Sequence, residues 1–122
     1  MEKKSRPKIT RGETHRVTTG CGGLYITPCW DPDDGALVEV FAVLGRTGGC
    51  AHCQLEAITR AVSLGLKYGI PVSEYTDELR GLRCPKSAWE SGEHILSCPD
   101  AIAKILEKTK GGRDASRDNS TH

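Results

Sequence analysis

The feature that most constrains this chain is where its cysteines fall. Of six cysteines in 122 residues, four stand at the seams between stretches that read as regular structure. Cys21 lies in the glycine-flanked "TGCGG", Cys50 in "GGCAHC" at the start of an apolar-periodic run, Cys84 in "LRCPK" and Cys98 in "ILSCPDAIAKIL". Turns and helix starts let separate segments converge, and flanking glycines let backbones approach closely, as a closed tetrahedral thiolate site requires. Cys21, Cys50, Cys84 and Cys98 would make such a four-thiolate set. Spacing alone leaves other arrangements open. Cys50 and Cys53 are the one close pair, a second pair of the zinc-ribbon kind is missing, and Cys53 or His52 could take the place of Cys50. Inert thiols, or Cys50 and Cys53 as an exchangeable dithiol beside a helix N-terminus, are the competing uses. Cys29, next to Trp30, reads as a small buried hydrophobe.

The compartment bears on this choice. No apolar run reaches the length of a membrane span, and the N-terminus lacks the apolar segment of a secretory signal, so the expectation is a cytoplasmic protein with no membrane partner. In a reducing compartment, cysteines serve more often as metal ligands, reactive thiols or buried hydrophobes than as a disulfide framework. Lysine and arginine (17) nearly balance aspartate and glutamate (16), which argues against a strongly basic nucleic-acid binder. The positive charge is local. "MEKKSRPKITR", residues 1–11, is read as a solvated basic tail.

Residues 14–19, "THRVTT", and 23–29, "GLYITPC", are β-branched and aromatic and are parted by "GCG"; they read as an antiparallel hairpin. After the turn "DPDDG", the run "ALVEVFAVLGR" puts Val38, Val40, Ala42 and Leu44 on one face and Leu37, Phe41 and Val43 on the other, the pattern of a central strand buried on both sides. Glu39 within it either pairs with a buried arginine or faces solvent. From about 50 to 69, Leu55, Ile58, Ala61, Val62 and Leu66 form a helical stripe stopped by Gly69 and Pro71. A shorter helix runs from Ser73, as N-cap, to Leu79, and "RCPKSAWESGEH" reads as loop. "KGGRDASRDNSTH", residues 110–122, cannot bury enough apolar surface to offset its ordering entropy and is expected disordered.

The last helix is the best signposted. Ser97 is its cap, Pro99 tolerates the first turn, and Asp100 stands three residues after the cap as a shortened capping box. Ala101, Ile102, Ile105 and Leu106 form its apolar face. A thiol at Cys98, facing unpaired amides and the positive end of the helix dipole, is expected to have its pKa lowered.

Five segments in order, "RGETHRVTTGCGGLYI", "EVFAVLGRTGGC", "EAITRAVSLGLKYGIP", "LRGLRCP" and "ILSCPDAIAKIL", together resemble the TSCPD domain, over roughly residues 6–107. The naming motif carries Leu96 where the family name has threonine, and retains the Ser97 cap. Cys21, Cys50, Cys84 and Cys98 match cysteines of the family's motifs, whereas Cys29 and Cys53 are extras. The resemblance implies a module of the kind found in the C-terminal region of vitamin B12-dependent ribonucleoside-diphosphate reductases, here free-standing, and strengthens the zinc reading. It does not imply catalysis by this chain alone. Radical ribonucleotide reduction needs a barrel, an active-site dithiol and a cobalamin pocket, far more than one small domain encloses.

The reading is an α+β domain over residues 12–109: a small antiparallel sheet packed by two or three helices and tied by zinc at Cys21, Cys50, Cys84 and Cys98. Its role is accessory or regulatory, with a ribonucleotide reductase subunit or a nucleotide as partner and cobalamin entering only through a full-length reductase. A redox module using Cys50 and Cys53, and a nucleic-acid-binding zinc module, are the alternatives.

Overall fold

The computed structural model describes residues 2–45 and 49–121, with side chains through Thr109. In chain order the elements are β1 (Arg11–Gly12), β2 (His15–Thr19), β3 (Gly22–Trp30), β4 (Leu37–Leu44), α1 (Gly49–Lys67), α2 (Val72–Leu79), β5 (Ala88–Glu90), β6 (Glu93–Ile95) and α3 (Cys98–Thr121). The architecture is α+β, as the patterning implies. The disorder expected of 110–122 concerns residues whose side chains lie outside those described.

β3 is the centre of the main sheet. β1 and β2 pair in succession along one side of it and β4 along the other, all antiparallel. The hairpin read from "GCG" is present, with Thr19 opposite Gly22. The strand expected to be central, β4, is instead outermost. Its inward face, Val40, Ala42 and Leu44, is buried, while Phe41 and Val43 are about half exposed on the open face beside Tyr25. Near its start, Trp30 pairs with Leu37 and Cys29 with Glu39, so Val38 is the extra residue of a bulge. That insertion breaks strict alternation and buries Val38, Glu39 and Val40 in succession.

A polar side chain engages the backbone at one position each of β4 and β2. The Val40 amide donates to Ser63 Oγ of α1 at 3.0 Å, and the same hydroxyl donates back to the Val40 carbonyl at 3.2 Å. On the other side the Thr18 amide donates to Glu90 Oε1 of β5 at 2.6 Å. At Val40 and Thr18, backbone groups that would otherwise be open to another chain are occupied.

α1 buries Leu55, Thr59, Val62, Gly65 and Leu66 against the sheet. Ala61, expected on this stripe, is exposed, because the buried arc is centred on the row from Leu55 through Thr59 and Val62 to Leu66. Each fully buried Leu or Val contributes about 1.5–3 kcal/mol. Gly65 lets the Tyr75 ring of α2 press onto α1; an added Cβ would collide with the phenol oxygen. The N-cap of α2 is Pro71, in extended backbone and without a side-chain cap, rather than Ser73. The segment read as loop contains the β5–β6 hairpin, turned at Ser91 (φ 51°) and Gly92 (φ 81°). Its short strands carry the exposed Trp89 ring stacked on His94, with centroids 4.5 Å apart.

The basic N-terminus is not simply solvated. Lys4 donates its amide to the Lys67 carbonyl, and its ammonium lies 2.7 Å from Asp31 and 2.6 Å from Asp34. Arg6 pairs with the buried Glu39 at 2.9 Å, and Lys67 lies 3.8 Å from the same carboxylate. Two of the tail's cations, Lys4 and Arg6, are therefore matched within the domain. Among the described residues no helix is long and apolar enough to cross a membrane.

Candidate functional site

Three cysteine-bearing segments meet at one end of the sheet, and local chemistry explains why. At the close of β2, the Thr19 hydroxyl donates to the Gly22 carbonyl at 2.8 Å and accepts the Cys21 amide at 3.1 Å, folding the turn back on itself. Gly20, within that turn, lies flat against the chain at Lys86. A Cβ there would sit 2.5 Å from the Lys86 carbonyl carbon and oxygen, so a side chain would push the two segments apart. The Cys84 segment is held in turn to the start of α3. Cys84 donates its amide to the Leu96 carbonyl at 3.0 Å, and the Ser97 hydroxyl donates to the Leu82 carbonyl at 2.7 Å.

The first turn of α3 completes the arrangement. Ser97 caps it as expected, accepting the Asp100 amide at 3.1 Å. Asp100, fully buried, does not close a standard capping box. Its carboxylate accepts the Leu96 amide at 3.0 Å and the Gly81 amide at 2.8 Å, and pairs with Lys104 at 2.8 Å. Burial pushes this carboxyl up, but the Gly81 amide, the Lys104 ammonium and the Leu96 amide outweigh it and hold it below the usual carboxylate range.

The result is a cavity of about 200 Å³ walled by Cys21, Cys84 and Cys98 together with Thr19, Lys86 and the α1 residues Ala51, Gln54, Leu55 and Ile58. Cys98 Sγ lies 3.8 Å from the Thr19 hydroxyl, the group that also receives the Cys21 amide. Cys50 does not line the cavity. It is exposed in the first turn of α1, as are His52 and Cys53. Cys29 is buried, as expected, with its thiol near the Thr27 carbonyl.

Among the described residues, no group of three or more His, Cys, Asp or Glu side chains is arranged to hold a metal ion. Of the four cysteines expected as ligands, Cys21, Cys84 and Cys98 line the cavity and Cys50 does not. In ligand type the cavity suits a thiophilic ion, since three cysteines and no carboxylate residue line it. The expected low pKa of Cys98 is overturned. Burial pushes the thiol up, the Thr19 hydroxyl partly counters it, and the neighbouring Cys21 and Cys84 thiols push it further up. Desolvation and like neighbours outweigh the helix end.

Thr19, Gly20 and Lys86 were missed as site residues. The glycine flanking of Cys21 signalled a tight turn, but nothing local signalled which distant backbone would press on it.

The TSCPD domain family model matches residues 1–110. This chain belongs to the TSCPD domain family. The TSCPD domain here is similar to part of the vitamin B12-dependent ribonucleotide reductase of Streptomyces clavuligerus, 36% identical over 106 residues, which is 87% of this chain and 11% of that protein. It is likewise 36% identical over 81 residues to the vitamin B12-dependent ribonucleotide reductase of Streptomyces coelicolor, covering 66% of this chain and 8% of that protein. The namesake in Bradyrhizobium diazoefficiens is 33% identical over 76 residues, 62% of this chain and 6% of the reductase. The chain spans about a tenth of the length of the first two of these relatives or less. No solved structure matches the TSCPD domain described here.

Proposed function

We propose that this TSCPD domain is a zinc-binding accessory or regulatory module of vitamin B12-dependent ribonucleotide reduction, acting by binding and not by catalysis. The observation that carries the reading is the convergence of Cys21, Cys84 and Cys98, from a turn, a loop and a helix start, on one cavity. Cys50, from the neighbouring first turn of α1, is the fourth ligand in this reading. Bound zinc would supply a cross-link among a turn, a loop and two helix starts, so that binding and folding are coupled. Deprotonation of the half-buried Cys98 would accompany binding, because the thiolate is the ligand.

The partner in this reading is a reductase subunit, and cobalamin enters only through that partner. The similarity to a segment of named reductases supports the assignment, and the cytoplasm is the compartment in which the thiols stay reduced. The test is elemental analysis and native mass spectrometry of protein purified without added zinc, before and after chelation, alongside affinity capture from the native host. One zinc per chain, folding lost on chelation, and recovery of a reductase subunit are expected. Metal-free, stably folded protein would overturn the metal assignment, and capture that recovers other partners but no reductase subunit would overturn the accessory one.

A further inference from the structure

The open face of the main sheet carries features that neither the core nor the cysteine cavity uses. Strand register sets its rows. Arg16, Tyr25 and Val43 form one, and Thr27 and Phe41 the next, with the Thr14 hydroxyl 2.9 Å from that of Thr27. Tyr25 is 41% and Phe41 48% exposed, so two aromatic rings stand half in solvent on adjacent strands, an apolar patch that packing of the fold does not explain. Beyond Tyr25 the sheet is bare, because the next row holds Gly23 and Gly45. The Tyr25 ring borders Gly45, and the Arg16 guanidinium lies over Gly23, where an added Cβ would meet it at 2.8 Å.

Cations flank this aromatic pair on both sides. Arg16 stands on the β2 side. On the β4 side, Phe41 borders a hollow of about 390 Å³ whose lining includes Lys3, Arg60 and Lys67. The carboxylates nearby are engaged: Glu39 by Arg6 and Lys67, Glu56 by Arg60 at 2.7 Å, and Glu90, which also feels Arg16, by the Thr18 amide. Lys3 has no ion-pair partner among the described residues. Exposed rings with cations on both flanks and no free carboxylate between them match a ligand made of flat bases and phosphates. A symmetric dimer through this face would instead bring together two surfaces that both carry cations and lack a free carboxylate.

We propose that the open face of β2, β3 and β4 binds single-stranded nucleic acid, with Tyr25 and Phe41 each stacking a base and Arg16 and Lys3 meeting phosphates on either side. The two rings are diagonal neighbours on adjacent strands, roughly 7–8 Å apart, the placement by which open antiparallel sheets stack successive bases. The Thr14 and Thr27 hydroxyls offer donors and acceptors beside them. With few cations involved, binding is led by stacking and tolerant of sequence, in keeping with the near-neutral charge of the chain. It needs neither zinc nor a reductase subunit, and so stands or falls apart from the function proposed above.

Fluorescence anisotropy of the full chain tests this, with labelled single strands of about ten nucleotides, one DNA and one RNA, and with the matching duplex. At least one single strand should bind saturably, and the duplex, whose base faces are already stacked, much more weakly. Tyr25→Ile and Phe41→Ile keep strand propensity and apolar bulk but remove the π face; each should weaken binding by roughly 5- to 150-fold, while Phe41→Trp retains it. Arg16→Gln should weaken binding and lower the salt slope by about one. Circular dichroism checks each variant, and Arg16→Gln and Lys3→Gln, both at exposed positions, carry the test if an isoleucine variant fails to fold. No binding of either strand at on the order of 100 µM, equal binding of the duplex, or binding untouched by these substitutions overturns the proposal. So does a dimer, or capture of a reductase subunit, that depends on Tyr25 and Phe41 while no oligonucleotide binds, since the face then belongs to a protein.

Discussion

The carboxylate of Asp100 holds the amide of Gly81 at 2.8 Å, joining the end of α2 to the first turn of α3. The same carboxylate takes the Leu96 amide and the Lys104 ammonium, so one fully buried group fixes the backbone on both sides of Cys98 and the segment leading to Cys84. Asp100→Ala would strand the amides of two part-buried hydrogen bonds and take the anionic partner from a lysine that is only 11% exposed, leaving it the His94 carbonyl alone. We expect a loss of about 3 kcal/mol or more in urea unfolding, with Asp100→Asn intermediate because it restores only part of the acceptor capacity. A change within about 0.5 kcal/mol, the range of ordinary surface substitutions, would contradict the assignment.

Acid should act through the same group. Because its folded pKa is depressed, folding favours the ionised form, and that stability is whole above the unfolded value of about 3.9 and is lost as pH falls toward and through the folded value. Asp31 and Asp34, held down chiefly by the Lys4 ammonium, contribute in the same direction. Urea midpoints should therefore fall steeply below about pH 4, and Asp100→Asn should flatten that fall relative to the wild type.

Gly20 offers a test of how the cavity is positioned. Gly20→Ala forces a methyl into the Lys86 backbone, whereas Gly45→Ala places one at an ordinary 3.4 Å from its neighbours. The first should cost about 1–3 kcal/mol in chemical denaturation and the second much less. With metal bound as proposed, only Gly20→Ala should also weaken zinc affinity.

Zinc binding, if it proceeds as proposed, should release protons. Calorimetry in buffers of differing ionisation enthalpy reads the number, which should fall in Cys98→Ser because the thiol held up by burial and its neighbours is no longer there to ionise. Cys84→Ser should weaken binding by more than the roughly 10–100-fold typical of losing an outer-sphere partner, while Cys53→Ser should leave it unchanged. Equal losses from Cys53→Ser and Cys50→Ser would redraw the ligand set.

Much of this architecture was legible residue by residue. The Ser97 cap, the β2–β3 hairpin and the apolar row of α1 follow from local periodicity and turn chemistry, which act within a few residues. Three features did not, because distant chain decides them. β4 reads as a central strand, yet its outer position depends on β3 taking partners on both sides and on the bulge at Val38. The β5–β6 hairpin is too short to show a period, and Ser91 gave no glycine signal for its positive φ. At the site, the cysteines were visible as candidates, but their division into three within the cavity and Cys50 outside depends on how α1 lies against the sheet. The Cys98 ionisation was misread for a related reason. A helix end is visible in sequence, while burial and the approach of Cys21 and Cys84 are not.

The side chains of Ser63 and Glu90, fastened to the backbone of β4 and β2, give the main sheet a finished outline. A further strand could join at Val40 or Thr18 only after an existing hydrogen bond was broken. The domain is in this sense portable: it can be carried as a separate piece, or joined to a much longer polypeptide as in the reductases it matches, without those positions recruiting a stray segment of its surroundings.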